Sequence, residues 1–259
     1  MSRAEPALRP SSTGSRGAQT AALVSLVGVA LIGQLVALSL ALGAAYVVVA
    51  LVAHALAATA LLALARVHLA ERAFGPANTV TLARVALVAL LAALLVGPPA
   101  PAVGWLVAGT TVLVSILDGV DGWLARRAGT ASAFGARFDM EVDAALVLVL
   151  SLLAWHLDKA GVWVLASGLT RYGFVAAAWR WRWLAAPLPP SRRRQTVCVA
   201  QVLALGLCVV PLVPSPWSDL VAAAALAALV GSFAVDVRWL ARAASASTPD
   251  ATTIGGVSR

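Results

Sequence analysis

Two pairs of aspartates stand close together in the segment DGVDGWLARRAGTASAFGARFDMEVD, which spans residues 118–143. Asp118 and Asp121 are three residues apart, and Asp139 and Asp143 are four apart. Both spacings place the two side chains of a pair on one face of an α-helix. Four carboxylates that face one another cannot all stay ionised without a neutralising cation, and oxygen ligands suit Mg²⁺ or Mn²⁺. The pattern therefore predicts a hard-cation site that could take two ions.

The chain around this acidic segment has the composition of an integral membrane protein. Of its 259 residues, 61% are hydrophobic and only 12% are charged, and the mean hydropathy is +0.91. A soluble domain of this size carries about twice that share of charged residues. Because carboxylates are costly at bilayer depth, those that lie there usually serve a function.

Eight apolar segments are long enough for transmembrane helices, which need about 20 residues each. They lie at 20–42, 44–65, 78–97, 102–125, 135–156, 160–180, 195–214 and 217–238. We therefore predict an all-α integral membrane protein with about eight transmembrane helices. The short loop at 126–134 predicts that the fourth and fifth helices pack antiparallel, with the two acidic pairs facing each other.

The positive charge of the chain is concentrated between the apolar segments. The net charge is +8, and all but one of the 19 basic residues are arginines. By the positive-inside rule, this distribution predicts a multi-pass protein of the cell membrane with both termini and the acidic loop on the cytoplasmic side. Arginines there also suit contact with anionic membrane lipid. Nucleic-acid binding is excluded, since no soluble basic face with interleaved aromatic residues is present.

The acidic segment fits the pattern Asp-x2-Asp-Gly-x2-Ala-Arg-x8-Gly-x3-Asp-x3-Asp at every fixed position. These positions are Asp118, Asp121, Gly122, Ala125, Arg126, Gly135, Asp139 and Asp143. Upstream, NTVTLAR at 78–84 is similar to an Asn-x2-Thr segment. Together these motifs resemble the signature of the CDP-alcohol phosphotransferases, also called CDP-alcohol phosphatidyltransferases.

The resemblance implies a domain organisation. It covers about residues 74–240, where the family has a core of six transmembrane helices. The first two helices, at 21–66, would form an N-terminal hairpin outside this core. Residues 1–20 would be a disordered cytoplasmic tail, and residues 241–259 a second cytoplasmic tail. The resemblance also implies a homodimer.

The resemblance further implies a metal-dependent reaction. An alcohol hydroxyl would attack a phosphate of a CDP-linked donor and release CMP. Asp118, Asp121 and Asp139 would ligate Mg²⁺ or Mn²⁺, with two ions expected. Asp143 would act as the general base on the alcohol and would also contact the second ion.

The remaining motif residues are assigned to the donor. Asn78, Thr81, Gly122, Arg126 and Ser132 would hold the CDP moiety. We expect CDP-diacylglycerol as the donor, for phospholipid biosynthesis, because a lipid substrate fits a site in the membrane; a smaller CDP-alcohol remains an alternative.

Two arginines are candidates for binding an anionic acceptor alcohol. Arg137 could contact the acceptor, or it could form an i,i+4 ion pair with Glu141. Arg171 lies within an apolar helix, so it needs either the substrate or one of the clustered aspartates as its counter-charge.

Three other features have structural interpretations. Arg84 lies within two helical turns of a predicted helix end, so we expect its side chain to extend to the membrane surface. The run 192–194 of three arginines is predicted to contact the membrane surface. Cys198 and Cys208 lack metal-ligand spacing, so we expect small apolar side chains in the core.

Two other functions are alternatives for an Asp-rich membrane protein. Membrane prenyltransferases also use Mg²⁺ and Asp-rich motifs, but those motifs lie far apart in sequence. A divalent-cation transporter would place the carboxylates at a midplane ion site, and it would call for unwound helices and an internal repeat.

Overall fold

The computed structural model describes residues 12–68, 76–127 and 133–246, and these residues form eight α-helices and three short 3-10 helices. The α-helices are α1 Ser12–Ser39, α2 Ala44–His68, α3 Pro76–Ala93, α4 Pro101–Arg127, α5 Ala133–His156, α6 Leu165–Arg180, α7 Arg192–Cys208 and α8 Trp217–Ala246. The 3-10 helices are Leu94–Val96, Val162–Val164 and Arg182–Ala185. No strand occurs within the described ranges. The predicted all-α fold with eight helices is confirmed.

The helix boundaries follow from local sequence. Pro76 and Pro101 stand at the first positions of α3 and α4, where the missing N–H of proline would be unpaired in any case. Between α1 and α2, Ala41 adopts a φ of 51°, and the N–H of Leu42 donates to the Ala37 carbonyl at 2.8 Å. This closes the end of α1 and turns the chain into α2.

Five of the described helices are long and apolar enough to cross a membrane, so the chain is a multi-pass membrane protein. They are α1, α2, α3, α4 and α8. The other three have evident reasons to fall short. α6 and α7 have only 16 and 17 residues, and α5 carries charged side chains in its first half.

The centre of the fold is a group of four helices. α3 packs against both α4 and α5, and α7 packs against the same two helices. Among the described residues, α4 and α5 meet chiefly through these neighbours, so the prediction that they pack directly on each other is wrong. The physical reason is that a cationic side chain from α3, described below, lies between the two acidic faces and binds both of them in the space that direct packing would need.

Glycines allow the close approach of two further helix pairs. A Cβ built at Gly206 of α7 would lie 2.8 Å from Thr111 Cγ2 of α4. One built at Gly168 of α6 would lie 2.5 Å from the Cα of Leu148 in α5. Small residues permit such backbone contact between membrane helices, where dispersion rather than hydrophobic burial drives association.

The hairpin of α1 and α2 packs against α3. The Tyr46 hydroxyl of α2 donates to the Leu90 carbonyl of α3 at 3.2 Å, and both residues are buried. Val29 of α1 belongs to the same continuous apolar core as the buried leucines of α5. The hairpin therefore supports α3, the helix that delivers the central cation of the site.

We predict that Gly168→Ala lowers the thermal stability of the purified protein. The new methyl group would overlap the Leu148 backbone, which cannot rotate away, and overpacking of this kind costs about 1–3 kcal/mol. The matched control is Gly173→Ala in the same helix, where an added Cβ meets nothing within 4 Å. Thermal unfolding in detergent should show a lower midpoint for Gly168→Ala alone. Equal midpoints for the two variants would contradict the close contact of α5 and α6.

Candidate active site

Arg84 of α3 is the central side chain of the site. It is fully buried, with 0% of its side chain exposed, and its guanidinium contacts all four clustered aspartates. Nη1 lies 3.0 Å from Asp121 Oδ2 and also contacts Asp139 Oδ1. Nη2 lies 2.7 Å from Asp118 Oδ1 and 2.6 Å from Asp143 Oδ1. Each terminal nitrogen thus bridges one carboxylate of α4 and one of α5.

This bridging fixes how the two acidic pairs oppose each other. Asp121 shares a nitrogen with Asp139, and Asp118 shares the other with Asp143. The earlier residue of one pair therefore stands opposite the later residue of the other, as antiparallel helices require. The predicted meeting of the two pairs is correct, although a guanidinium lies between them.

The carboxylates differ in how open they are. The exposed fraction is 41% for the Asp139 side chain and 33% for Asp118, but only 9% for Asp121. Asp121 also accepts a hydrogen bond from Thr81 Oγ1 at 3.3 Å. Asp121 is therefore fixed between α3 and α4, whereas Asp118 and Asp139 can be reached by a ligand.

The donor set fits a divalent cation. One carboxylate oxygen from each of Asp118, Asp121 and Asp139 lies within 4.8 Å of the others. Asp118 Oδ1 is buried and lies near Arg84, but it receives no hydrogen bond within the described residues. If all four carboxylates are ionised, the cluster and Arg84 carry a formal charge of −3. An excess of oxygen ligands and negative charge suits a hard cation such as Mg²⁺ or Mn²⁺.

Gly122 and Arg126 form a second part of the site: Gly122 directly follows Asp121, and Arg126 lies one turn further along α4. A Cβ built at Gly122 would lie 3.2 Å from Arg126 Nη1, so the guanidinium lies over the bare backbone of the glycine. The Arg126 side chain is exposed. An arginine in this position can offer its planar donors to a phosphate next to the carboxylates.

Of the other predicted donor residues, Thr81 lies at the cluster through its bond to Asp121. Asn78 belongs to the first turns of α3, but its side chain lies outside the described part of the chain, and Ser132 lies outside the described ranges.

The two candidate acceptor arginines have different outcomes. Arg171 donates from Nη2 and Nε to the carboxylate of Glu141, the second contact being 3.3 Å long. Arg171 therefore pairs with Glu141. The prediction that it could pair with one of the clustered aspartates is wrong. Glu141 is thus held by a helix other than its own. Arg137 lies in α5, and its side chain is outside the described set.

Arg84 is the main residue whose role was missed. We expected it to extend to the membrane surface, and that prediction is wrong, because four carboxylates in the interior offset its charge more fully than the surface would. A signal was present: Arg84 follows Thr81 by three residues, so both project from one face of α3 toward the acidic helices.

Cys198 of α7 also has an unexpected position. Its Sγ lies 4.0 Å from Asp143 Oδ2, at the limit of a weak hydrogen bond, and the residue is half-buried. It therefore borders the site rather than the apolar core. Cys208, by contrast, is fully buried, with Sγ 3.2 Å from the Ser218 carbonyl oxygen, as expected for a core side chain.

The arginine run at the start of α7 is held by α8. Arg193 contacts Asp236 and donates to the Ser232 hydroxyl at 2.5 Å, and Arg194 Nη1 lies 3.3 Å from Asp236 Oδ1. Asp236 is buried. Two of the three arginines predicted to contact the membrane surface therefore join two helices of the fold.

Comparison with known proteins gives one match. The family model described as CDP-alcohol phosphatidyltransferase matches residues 74–235, which is more than half of the chain. The matched range includes Arg84 and all four clustered aspartates. Comparisons with curated proteins and with solved structures found no significant match.

We predict that Asp121→Asn and Asp139→Asn each weaken Mn²⁺ binding by at least about tenfold, because the affinity of oxygen sites depends on the number of charged ligands. Binding is measured on the purified protein from the electron paramagnetic resonance signal of free Mn²⁺. Glu141→Gln is the control, since this carboxylate lies in α5 but pairs with Arg171 outside the cluster. If Glu141→Gln weakened binding as much as Asp139→Asn, the ion would not be held by the cluster.

Proposed function

Because the chain belongs to the CDP-alcohol phosphatidyltransferase family, a family of transferases, we propose that it transfers a phosphatidyl group from CDP-diacylglycerol to an alcohol and releases CMP. The family match supports the coarser statement that a phosphate-linked alcohol group moves from a CDP-alcohol. The choice of a lipid donor rests on the position of the cluster within membrane helices, from which acyl chains could pass directly into the bilayer.

One observation carries this proposal: two opposed carboxylate pairs lie next to an arginine that covers a bare glycine backbone. The carboxylates suit a divalent cation, and Arg126 over Gly122 suits a phosphate. A pyrophosphate bound to a divalent cation needs both features side by side. A site for a cation alone would not need the second.

In the proposed complex, Gly122 and Arg126 bind the pyrophosphate of the donor. The absence of a side chain at Gly122 lets the phosphate approach the backbone, while Arg126 donates hydrogen bonds from its exposed guanidinium. Thr81 keeps Asp121 in place, and Asn78 and Ser132 complete the contacts with the CDP moiety. Asp118, Asp121 and Asp139 would hold one or two divalent ions, Mg²⁺ or Mn²⁺, which neutralise developing negative charge on the phosphate oxygens when bound.

Asp143 is the proposed general base. One of its oxygens contacts Arg84 at 2.6 Å, and the other lies 4.0 Å from Cys198 Sγ. A quarter of the side chain is exposed, so an acceptor hydroxyl can reach it. Asp143 takes the hydroxyl proton, the hydroxyl oxygen forms a bond to the donor phosphorus next to the lipid moiety, and the bond from that phosphorus to the CMP oxygen breaks.

The acceptor is proposed to be an alcohol, with Arg171 and Arg137 favouring an anionic one. Arg171 would have to share its guanidinium between Glu141 and the acceptor. Glycerol phosphate and inositol phosphate fit this charge, while serine and a second lipid are the other classes to test. We further propose that the site opens to the cytoplasm, on the basis of the arginine distribution. The family match does not favour a prenyltransferase or a cation transporter.

The proposed function predicts CMP release from CDP-diacylglycerol that depends on both a divalent ion and an alcohol. Purified protein is incubated with labelled donor, Mg²⁺ or Mn²⁺ and each of the four acceptor classes, and both CMP and the lipid product are measured. Asp143→Asn should lower the rate by about 10²–10⁴-fold, the usual contribution of a general base, while metal-dependent binding of CDP persists.

Two results would count against this account. No CMP release with any acceptor would contradict transfer from CDP-diacylglycerol. Loss of CDP binding together with activity in Asp143→Asn would show that this residue acts chiefly as a ligand and not as a base.

A second prediction concerns the phosphate contact. Gly122→Ala would place a methyl group where the donor phosphate is proposed to approach the backbone, next to the Arg126 guanidinium. The loss of one charge-assisted hydrogen bond to that phosphate, about 1.5–3 kcal/mol, should weaken donor binding by about 10- to 100-fold. The control is Gly119→Ala, one turn earlier in α4, where a Cβ meets nothing within 4 Å. KM for CDP-diacylglycerol should rise in Gly122→Ala and stay near the wild-type value in Gly119→Ala. A KM unchanged in both would rule out donor binding at Gly122.

A further inference from the structure

Arg84 takes a position that divalent ions would need. Its two terminal nitrogens each lie between a carboxylate of α4 and a carboxylate of α5. We propose that Arg84 is an internal counter-cation of the cluster, which holds the acidic helices together in the metal-free protein and competes with divalent ions for the same oxygens. This inference rests on the metal site of the proposed function and adds a residue that sets its affinity.

The charges of the cluster are costly to bury. Four carboxylates gathered among membrane helices repel one another and require a cation. Arg84 is 0% exposed and reaches all four, so it meets this requirement without any bound ion. A buried guanidinium is equally costly without counter-charges, and so each partner stabilises the other only while they remain together.

Arg84 and the candidate ion site share three carboxylates. Nη2 is 2.7 Å from Asp118 Oδ1, and Nη1 is 3.0 Å from Asp121 Oδ2 and contacts Asp139 Oδ1. These three aspartates are also the ones whose oxygens could hold one ion. A Mg²⁺ ion binds oxygen at about 2.0–2.1 Å, so an ion bound to the oxygens that Arg84 contacts would fill the space that the guanidinium now occupies. An ion on those oxygens and the guanidinium cannot both lie there, so in this proposal metal binding displaces Arg84 from at least part of the cluster.

Within the described part of the chain, no group outside the cluster holds the guanidinium. Nε of Arg84 is buried and makes no hydrogen bond within the described residues. All the polar contacts found for the guanidinium are with the cluster itself. Among the described residues, Arg84 is therefore held by ion pairs and hydrogen bonds to the carboxylates, and a divalent cation could replace it there.

The direction in which metal affinity changes when Arg84 is removed distinguishes competition with metal from a simple positioning role. If Arg84 only positions the carboxylates for metal, its removal should weaken metal binding. If Arg84 competes with metal, its removal should strengthen metal binding and should make the folded protein depend on metal. One substitution tests both consequences.

The test uses the full chain in detergent or nanodiscs, with Mn²⁺ alone as the probe. Arg84→Met keeps an unbranched stem and removes the charge. We expect its Mn²⁺ dissociation constant to fall at least tenfold, its unfolding midpoint in chelator to drop, and the rise of that midpoint with Mn²⁺ to exceed the wild-type rise. Arg193→Met is the control, because this arginine pairs with Asp236 away from the cluster, and its Mn²⁺ affinity should equal that of the wild type.

Arg84→Lys covers the case in which Arg84→Met does not fold. A single ammonium group cannot bridge both cross-helix pairs, so Mn²⁺ affinity should lie above that of the wild type. An Mn²⁺ affinity equal to or below the wild-type value in the folded Arg84 variants would overturn the inference and leave the metal site intact. Absence of Mn²⁺ binding in the wild type and in every variant would overturn both this inference and the metal site of the proposed function.

Discussion

The interaction on which the rest of this structure depends is the contact of one buried guanidinium with four carboxylates. Charges in a low-dielectric interior must be neutralised nearby, and this requirement places α3 between the acidic faces of α4 and α5. The other helices support that placement. The α1–α2 hairpin packs against α3, and Gly206 lets α7 approach α4 closely. Apolar packing holds the helices together, while charge determines which helix faces meet at the centre of the fold.

The same charge imbalance connects the structure with the chemistry. Arg84 offsets only one of the four negative charges, so the cluster keeps a net negative charge that can bind further cations. Arg126 lies one turn beyond Gly122 with its side chain exposed, which adds an anion-binding group beside a cation-binding one. That combination suits a phosphate ester bound to a divalent ion. It agrees with membership of the CDP-alcohol phosphatidyltransferase family, which the sequence match establishes independently of the geometry.

The sequence predicted what depends on spacing along the chain. The eight helices follow from the lengths of the apolar segments, and the meeting of the aspartate pairs follows from their positions on either side of one loop. What it did not predict depends on how helices rotate about their axes. Arg84 reaches the cluster because α3 turns that face inward. From sequence alone, an arginine near a helix end could equally extend its side chain to the membrane surface. Likewise, Arg171 meets Glu141 and Arg193 meets Asp236 across 30 and 43 residues, distances at which no helical periodicity applies.

The central claim is that the opposed carboxylates of α4 and α5 form the divalent-cation site of this protein. Anomalous scattering from a crystal of the protein grown with Mn²⁺ tests it most directly. The account predicts an Mn²⁺ peak bounded by Asp118, Asp121 and Asp139, with the Arg84 guanidinium withdrawn from the oxygens that bind the ion. Mn²⁺ found only elsewhere, with Arg84 still bridging all four aspartates, would contradict it.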